Sequence, residues 1–453
     1  MRVVVQAALL ATLGSAAVPA DEVTKFPGFD GTMPSKVYSG YLKASAPGPR
    51  GNDQTFYAHY IFTLSQRAPA KDPLVLWQQG GPGSSGLGFG YFAELGPYQL
   101  NANSLKNLTK NSSSSSSSSS SGGSGAIPRP VRNDYSWDAA TNLLIFEHPP
   151  GTGFSYCAGA DGKPVVCEWD DQTQAGAFYA TLAAWYDKYA EFAGHELFMI
   201  GESYAGLLLP FLAHEIMQHP DETAAKQLQA IAVGNGCPGT AGSTPARTGT
   251  CNGPYGNYDT QHVFELAAGH SAVSRKLRDA VAAACGFPCA APTWAEDCAS
   301  FSPACEKLLE GFSAAVGSFN IYNFYDNCGG GNQAAATAAV GAAGEEVAAN
   351  GGNGGNGGGG GGGGGGVVTG TFSELRERFA KPSSGGQSYP CGTGAAAAAW
   401  CNNDDARAGF HMHPRSFYPA PWAGGAGAAM NYSHYTGASF DLYPVSLRRL
   451  ARD

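Results

Sequence analysis

The chain has 453 residues, of which 43% are hydrophobic, and this length fits one large domain with an insertion. Its formal net charge is −9 at pH 7, and its 27 lysine and arginine residues form no basic cluster. A nucleic-acid partner is therefore not expected, because such partners require a concentrated positive surface.

Residues 1–20 are typical of a secretory signal. Arg2 precedes the apolar stretch Val3–Leu13, which is too short to span a membrane, and small residues follow as far as Ala20. We expect the mature chain to begin near residue 21 and to enter the secretory pathway, reaching the extracellular space or a vacuole or lysosome. No membrane span is expected beyond the signal.

The eleven cysteines indicate disulfides in a chain that enters the secretory pathway, and several of them lie between Cys237 and Cys328. Sequons at Asn107, Asn111 and Asn431 are candidate glycosylation sites in the same compartment.

Apolar runs alternate with helical patterns through the first half of the chain, as a sheet flanked by helices requires. The runs Leu74–Trp77 and Leu143–Phe146 predict buried strands, each followed by a loop that contains glycine. Apolar side chains then recur at helical spacing from Phe178 to Tyr189, which predicts a helix packed on the sheet. An active site is expected where these strands end.

Two segments have too few apolar side chains to offset the entropy lost on ordering. Residues 112–125 are rich in serine and glycine, and residues 329–370 are rich in glycine and alanine. We expect both to be disordered loops. Between them, residues 237–328 are rich in helical patterns and in cysteine, which suits an inserted cap.

The most informative motif is Gly201–Gly206, with Ser203 at its centre. The apolar run Leu197–Ile200 precedes it and a helical pattern from Leu207 to Met217 follows it, so strand, sharp turn and helix succeed one another. This is the geometry of a nucleophile elbow, which raises a serine Oγ above the end of a parallel sheet. The alternative is that Ser203 only caps the helix that follows.

Other motifs accompany the elbow in a characteristic order, and they are spread over most of residues 21–450 apart from the two low-complexity segments. The set resembles the serine carboxypeptidases of the α/β-hydrolase fold. The resemblance implies a doubly wound, mostly parallel sheet, built from residues 21–236 and 371–453, with a helical, cysteine-rich cap at 237–328. The matching blocks are Phe26–Phe29, Tyr38–Leu42, Leu76–Ser85, Phe92–Pro97, Asn133–Asp138, Pro149–Tyr156, Gly234–Gly236, Tyr389–Gly392 and Asp405–Arg407.

The resemblance also implies a serine-type carboxypeptidase that needs no metal or cofactor and acts on peptides or proteins with a free C-terminus. Two carboxyl groups confined together share a proton, and a protonated one can donate to the substrate carboxylate, so activity at acid pH is expected. The implied roles are Ser203 as the nucleophile, Gly81 and Tyr204 as oxyanion donors, and Gln79, Gly80, Glu94 and Glu202 as the carboxylate site.

Two residues near the glycine loop depart from the family pattern. Gln79 stands where the family usually has asparagine, so an extra methylene displaces the amide that would touch the substrate carboxylate. Ser84 stands where many members have a cysteine that pairs with the position of Cys391. Cys391 is then expected either to pair with Cys401 or to stay free.

The late part of the sequence lacks the Gly-Asp and Gly-His blocks that supply the family's catalytic acid and base. Substitution by His411, His413 or His434 is not expected, so the chain is interpreted as truncated or as a degenerate member. The rivals to an acid carboxypeptidase are an inactive peptide-binding homologue and an acyltransferase on the same scaffold. Retention of Glu202, which the acyltransferase branch tends to lose, favours the hydrolase.

Overall fold

A computed structural model describes residues 19–106, 108, 126–236, 258–287, 301–316 and 393–433. The strands are β1 Val37–Pro47, β2 Asp53–Thr63, β3 Leu74–Gln78, β4 Tyr98–Gln99, β5 Val131–Arg132, β6 Asn142–Phe146, β7 Tyr156–Ala158, β8 Pro164–Val165, β9 Cys167–Asp170, β10 Leu197–Glu202, β11 Leu228–Gly234 and β12 Met430–Ser433.

The helices are α1 Thr173–Lys188, α2 Ala205–Ile216, α3 Thr223–Gln227, α4 Tyr258–Gly269, α5 Arg275–Cys285, α6 Pro303–Val316, α7 Thr393–Cys401 and α8 Asp404–Gly409. A further helix with π-type hydrogen bonds spans Gly86–Leu95.

The central sheet has eight strands in the order β11-β10-β3-β6-β2-β7-β8, with β1 paired to β2. Three pairs of neighbouring strands are parallel: β6 with β3, β3 with β10, and β10 with β11. The pairs that involve β1, β2, β7 and β8 are antiparallel. The sheet is therefore mixed, and the site described below lies at the carboxyl ends of its parallel half.

Helices cover both faces of the sheet. Along β3, Leu74 and Leu76 belong to one hydrophobic cluster, whereas Val75 and Trp77 belong to another, because successive side chains of a strand point to opposite faces. The first cluster includes residues of α1 and α2. The second includes residues of the Gly86–Leu95 helix and of α7. This arrangement confirms the expected α/β class.

The described part of the 237–328 region is helical. Helices α4, α5 and α6 pack around a small cluster of their own that includes Phe264, Leu309 and Phe312. The Cys285–Cys305 disulfide joins α5 to α6. Its role as a cap stays a prediction.

A second disulfide, Cys157–Cys167, closes the short excursion through β8, so the expected use of cysteine in disulfides is confirmed for two pairs. Cys401 is a buried free thiol.

Several expectations lie outside the described residues. They are residues 1–18 of the expected signal at 1–20, the two low-complexity segments, Cys391 and His434. In the part of the chain that the structure describes, no helix combines the length and the apolar character needed to cross a membrane.

Candidate active site

Ser203 lies in a sharp turn between β10 and α2, as the sequence predicts. Its φ of 59° falls in the left-handed region that few non-glycine residues adopt. The turn is close-packed, because a Cβ at Gly201 would lie 2.5 Å from the Gln78 carbonyl oxygen. Tyr204, and not Ser203, occupies the N-cap position of α2. The turn therefore has the strained geometry of a nucleophile elbow rather than that of an ordinary serine cap.

The glycine loop after β3 packs directly against this turn. A Cβ at Gly80 would lie 2.8 Å from the Ser203 Cβ and 2.8 Å from the Tyr204 backbone nitrogen. Gly81 has a φ of 120°, which is accessible to glycine but strained for other residues. Gly80 and Gly81 are thus needed for the loop to approach the elbow, where the amides of Gly81 and Tyr204 are the candidate oxyanion donors.

Glu94, Glu202 and Gln79 form one cluster beside the elbow. The Gln79 amide donates to Glu202 Oε2 at 3.1 Å, and Trp77 Nε1 donates to Gln79 Oε1 at 3.0 Å. The Glu94 and Glu202 carboxyl groups are hydrogen-bonded to each other, and Gln79 also bonds Glu94. Residues 108 positions apart in the sequence therefore meet at one point, as the resemblance implies.

The two carboxyl groups hold protons unusually well. Burial, reinforced by the charge of Glu202, raises the pKa of Glu94 to about 9. Burial also raises the pKa of Glu202, although the Gln79 amide and Glu94 favour its charged form. A confined pair cannot ionise twice at low cost, so in the free protein at least one carboxyl stays protonated at neutral pH and can act as a hydrogen-bond donor.

Sequence reasoning missed a buried carboxylate behind the elbow. Asp171 is fully buried, and its Oδ1 accepts hydrogen bonds from Tyr204 at 2.8 Å and from Tyr432 at 2.6 Å. Tyr204 supplies a candidate oxyanion amide, so Asp171 restrains the residue that carries this donor. No local pattern could reveal the contact, because Tyr432 is 261 positions from Asp171.

Four of the described histidines make their hydrogen bonds to groups other than Ser203. His59 bonds the Ser39 hydroxyl at 2.9 Å, and His411 bonds the Ser39 carbonyl oxygen at 2.9 Å. His148 bonds the carbonyl oxygen of Gln174 at 3.1 Å, and His413 contacts the Tyr156 hydroxyl at 3.3 Å.

Within the described ranges, no group of three or more histidine, cysteine, aspartate or glutamate side chains is arranged to hold a metal ion.

Taken together, the site places a strained serine next to candidate oxyanion amides and to a carboxyl pair that keeps at least one proton at neutral pH. The first two features suit acyl transfer through a tetrahedral intermediate. The third suits the binding of an anionic group close to the reacting carbonyl.

A family model described as serine carboxypeptidase matches residues 27–423 of the chain. The lysosomal protective protein of Mus musculus is 30% identical over 327 residues, which cover 71% of this chain and 55% of that protein. Serine carboxypeptidase ctsa-4.1 of Caenorhabditis elegans is 31% identical over 69% of this chain and 55% of its own length. Serine carboxypeptidase-like 38 of Arabidopsis thaliana is 31% identical over 48% of this chain and 38% of its own length.

The chain thus spans 38–55% of the length of these three relatives. Among solved structures, it is similar to Kex1Δp, a prohormone-processing carboxypeptidase from Saccharomyces cerevisiae. The TM-score is 0.49 at 16% identity, with 92% of this chain and 71% of that chain covered.

Proposed function

Because this chain belongs to the serine carboxypeptidase family, we propose that it removes C-terminal residues from peptides or proteins, with Ser203 as the nucleophile. The observation that carries the proposal is the contact between the Glu94–Glu202 pair and the Gln79 amide, beside Ser203. An exopeptidase must hold the terminal carboxylate one residue away from the bond that it cuts, and the position of the cluster beside the elbow supports this role.

In the proposed reaction, the Ser203 hydroxyl attacks the last peptide carbonyl and transfers its proton to a base. The amides of Gly81 and Tyr204 stabilise the oxyanion, and the C–N bond breaks as the leaving amine takes up the proton. Water then hydrolyses the acyl-enzyme and restores Ser203.

The carboxyl pair gives the proposed reaction its pH dependence. When both Glu94 and Glu202 are protonated, they offer two donors to the substrate carboxylate and add no negative charge. As the pH rises the pair ionises, with its last proton lost near the pKa of Glu94, about 9. Each ionisation places negative charge beside the substrate carboxylate, so binding is strongest at acid pH.

The reaction also needs a general base and an acid that orients it. We propose that both come from residues outside the described part of the chain or from a longer form of the protein. The support is that His59, His148, His411 and His413 already bond to other groups. We also propose a secretory or lysosomal location, in line with the signal-like residues 1–20 and the lysosomal name of the mouse relative.

The test is to incubate the purified protein at pH 5 with an N-blocked peptide, its C-terminal amide and an added alcohol, and to follow products by mass spectrometry. Shortening of the free acid alone, absent in Ser203→Ala, supports the proposal. An ester of the alcohol as the main product would instead indicate an acyltransferase. Binding of the free acid without any product would indicate a peptide-binding homologue.

A further inference from the structure

Glu147 is a fully buried carboxylate that has no role in the proposed reaction. It follows β6, and its Oε1 accepts hydrogen bonds from the Ser85 hydroxyl at 2.6 Å and from the Leu87 N–H at 3.1 Å. The Gly86 N–H also bonds this carboxylate. The Gly86–Leu95 helix therefore begins at a carboxyl oxygen that accepts hydrogen bonds, which is favourable because the first N–H groups of a helix lack partners within it. Burial raises the pKa of Glu147 to about 7, and the carbonyl oxygen of the protonated group still accepts these bonds at pH 5.

Ser85 links the carboxylate to the first turn of this helix. Its hydroxyl donates to Glu147 and accepts from the Gly88 N–H at 2.9 Å. The start of the helix also lies against β6, because a Cβ at Gly86 would be 2.8 Å from the Phe146 carbonyl oxygen. The first turn thus has little freedom to shift while these bonds persist.

The same helix carries Glu94 at its other end. Midway along it, a Cβ at Gly90 would lie 2.7 Å from Trp77 Nε1 and 3.1 Å from Gln79 Oε1. The helix is therefore held at its start by Glu147 and in its middle by the residues that orient Gln79. A displacement of its first turn would be transmitted to Glu94, since ten helical residues move nearly as a rigid body.

We propose that Glu147 is a positioning residue, which fixes the start of the Gly86–Leu95 helix and so sets the placement of Glu94 against Glu202 and Gln79. The inference rests on the proposed function of that cluster as the binding site for a substrate C-terminal carboxylate. A buried carboxyl group is costly, and the hydrogen bonds that Oε1 accepts from Ser85 and Leu87 offset part of that cost.

The test compares the dissociation constants of an N-blocked dipeptide and of its C-terminal amide by calorimetry at pH 5. The preference for the free acid is the ratio of the amide's dissociation constant to that of the acid. Glu147→Ala leaves the Gly86 and Leu87 N–H groups without their acceptor and lets the helix shift. This ratio should then fall about tenfold, because small displacements near a site have large effects. Glu147→Gln keeps an acceptor oxygen in place and should restore most of that preference. If Glu147→Ala does not fold, the same measurement is made on Ser85→Ala, which removes the hydroxyl that links Glu147 to the helix.

A double-mutant cycle separates positioning from a general structural role. In a Glu94→Gln background, Glu147→Ala should lower the preference no further. An unchanged preference in Glu147→Ala, or an equal loss in both backgrounds, would overturn the inference. Asp138→Asn is the matched control, because Asp138 is also fully buried but bonds Ser35 and Gln66. It should lower stability without altering the preference.

A failure of the proposed function can be told apart from a failure of the positioning role of Glu147. A wild-type protein that binds acid and amide equally refutes the proposed function. Crystal structures of wild type and Glu147→Ala then decide the positioning role by themselves. The inference predicts that Glu94 moves away from Glu202 in the variant, and a Glu94 carboxyl that stays in place would overturn it.

Discussion

Replacing Gly80 by alanine should disrupt the site more than the addition of one methyl group suggests. The new Cβ would lie 2.7 Å from the Glu202 carbonyl oxygen and 2.8 Å from both the Ser203 Cβ and the Tyr204 nitrogen. Ordinary van der Waals contact begins near 3.4 Å, so the glycine loop and the elbow must separate by several tenths of an ångström. All three neighbours are backbone or Cβ atoms, so no flexible side chain can relieve the overlap.

Overpacking of this kind costs about 1–3 kcal/mol of folding stability. Misplacement approaching 1 Å near reacting groups costs up to about a hundredfold in activity. We therefore expect Gly80→Ala to lower the melting temperature by several degrees. Affinity for a free-acid dipeptide should also fall by at least about tenfold, because the loop includes Gln79. Thermal unfolding and calorimetry measure the two effects.

The matched control is Gly176→Ala in α1, where an added Cβ meets nothing within 4 Å. Alanine favours a helix over glycine by about 0.5–1 kcal/mol, so this variant should be more stable than wild type and bind equally well. Wild-type stability and affinity in Gly80→Ala would refute the close contact between the glycine loop and the elbow.

Three further predictions concern pH and the disulfides. The raised pKa of Glu94 favours its protonated form in the folded state, so its contribution to stability is lost as pH rises from about 4.5 toward 9. Glu94→Gln should therefore gain stability relative to wild type over that range in urea unfolding, and a constant difference would contradict this. Burial lowers the pKa of His59 to about 3, so stability should fall below pH 6.5, by about 2 kcal/mol at pH 5. His59→Asn should flatten that acid limb, and an equally steep limb would show that other groups cause it. Replacing Cys157 and Cys167 by serine should cost about 2–4 kcal/mol; an unchanged melting temperature would show that the bond is not formed.

The strands around the site could be predicted from sequence because their signal is local. Residues 74–77 and 143–146 are uninterrupted apolar runs, and all of them are buried in a sheet covered on both faces. The elbow was equally visible, since a strand, a glycine-flanked serine and a helical pattern follow one another within twenty residues.

The Gly86–Leu95 helix was not predicted, because three glycines among its ten residues give it low intrinsic helix propensity. Tertiary contacts stabilise it instead: Gly86 and Gly90 admit the backbone against β6 and Trp77, and Glu147 accepts its first N–H groups. The pairing of Glu94 with Glu202 came from family resemblance, since no periodicity links positions so far apart.

The most direct test of the central claim is the pH dependence with which the protein distinguishes a free C-terminal carboxylate from its amide. Calorimetry from pH 5 to pH 9 with a matched dipeptide acid and amide measures this distinction. We expect at least about tenfold tighter binding of the acid than of the amide at pH 5, and this difference should decline as Glu202 and Glu94 lose their protons. Equal affinity for acid and amide at every pH would contradict it.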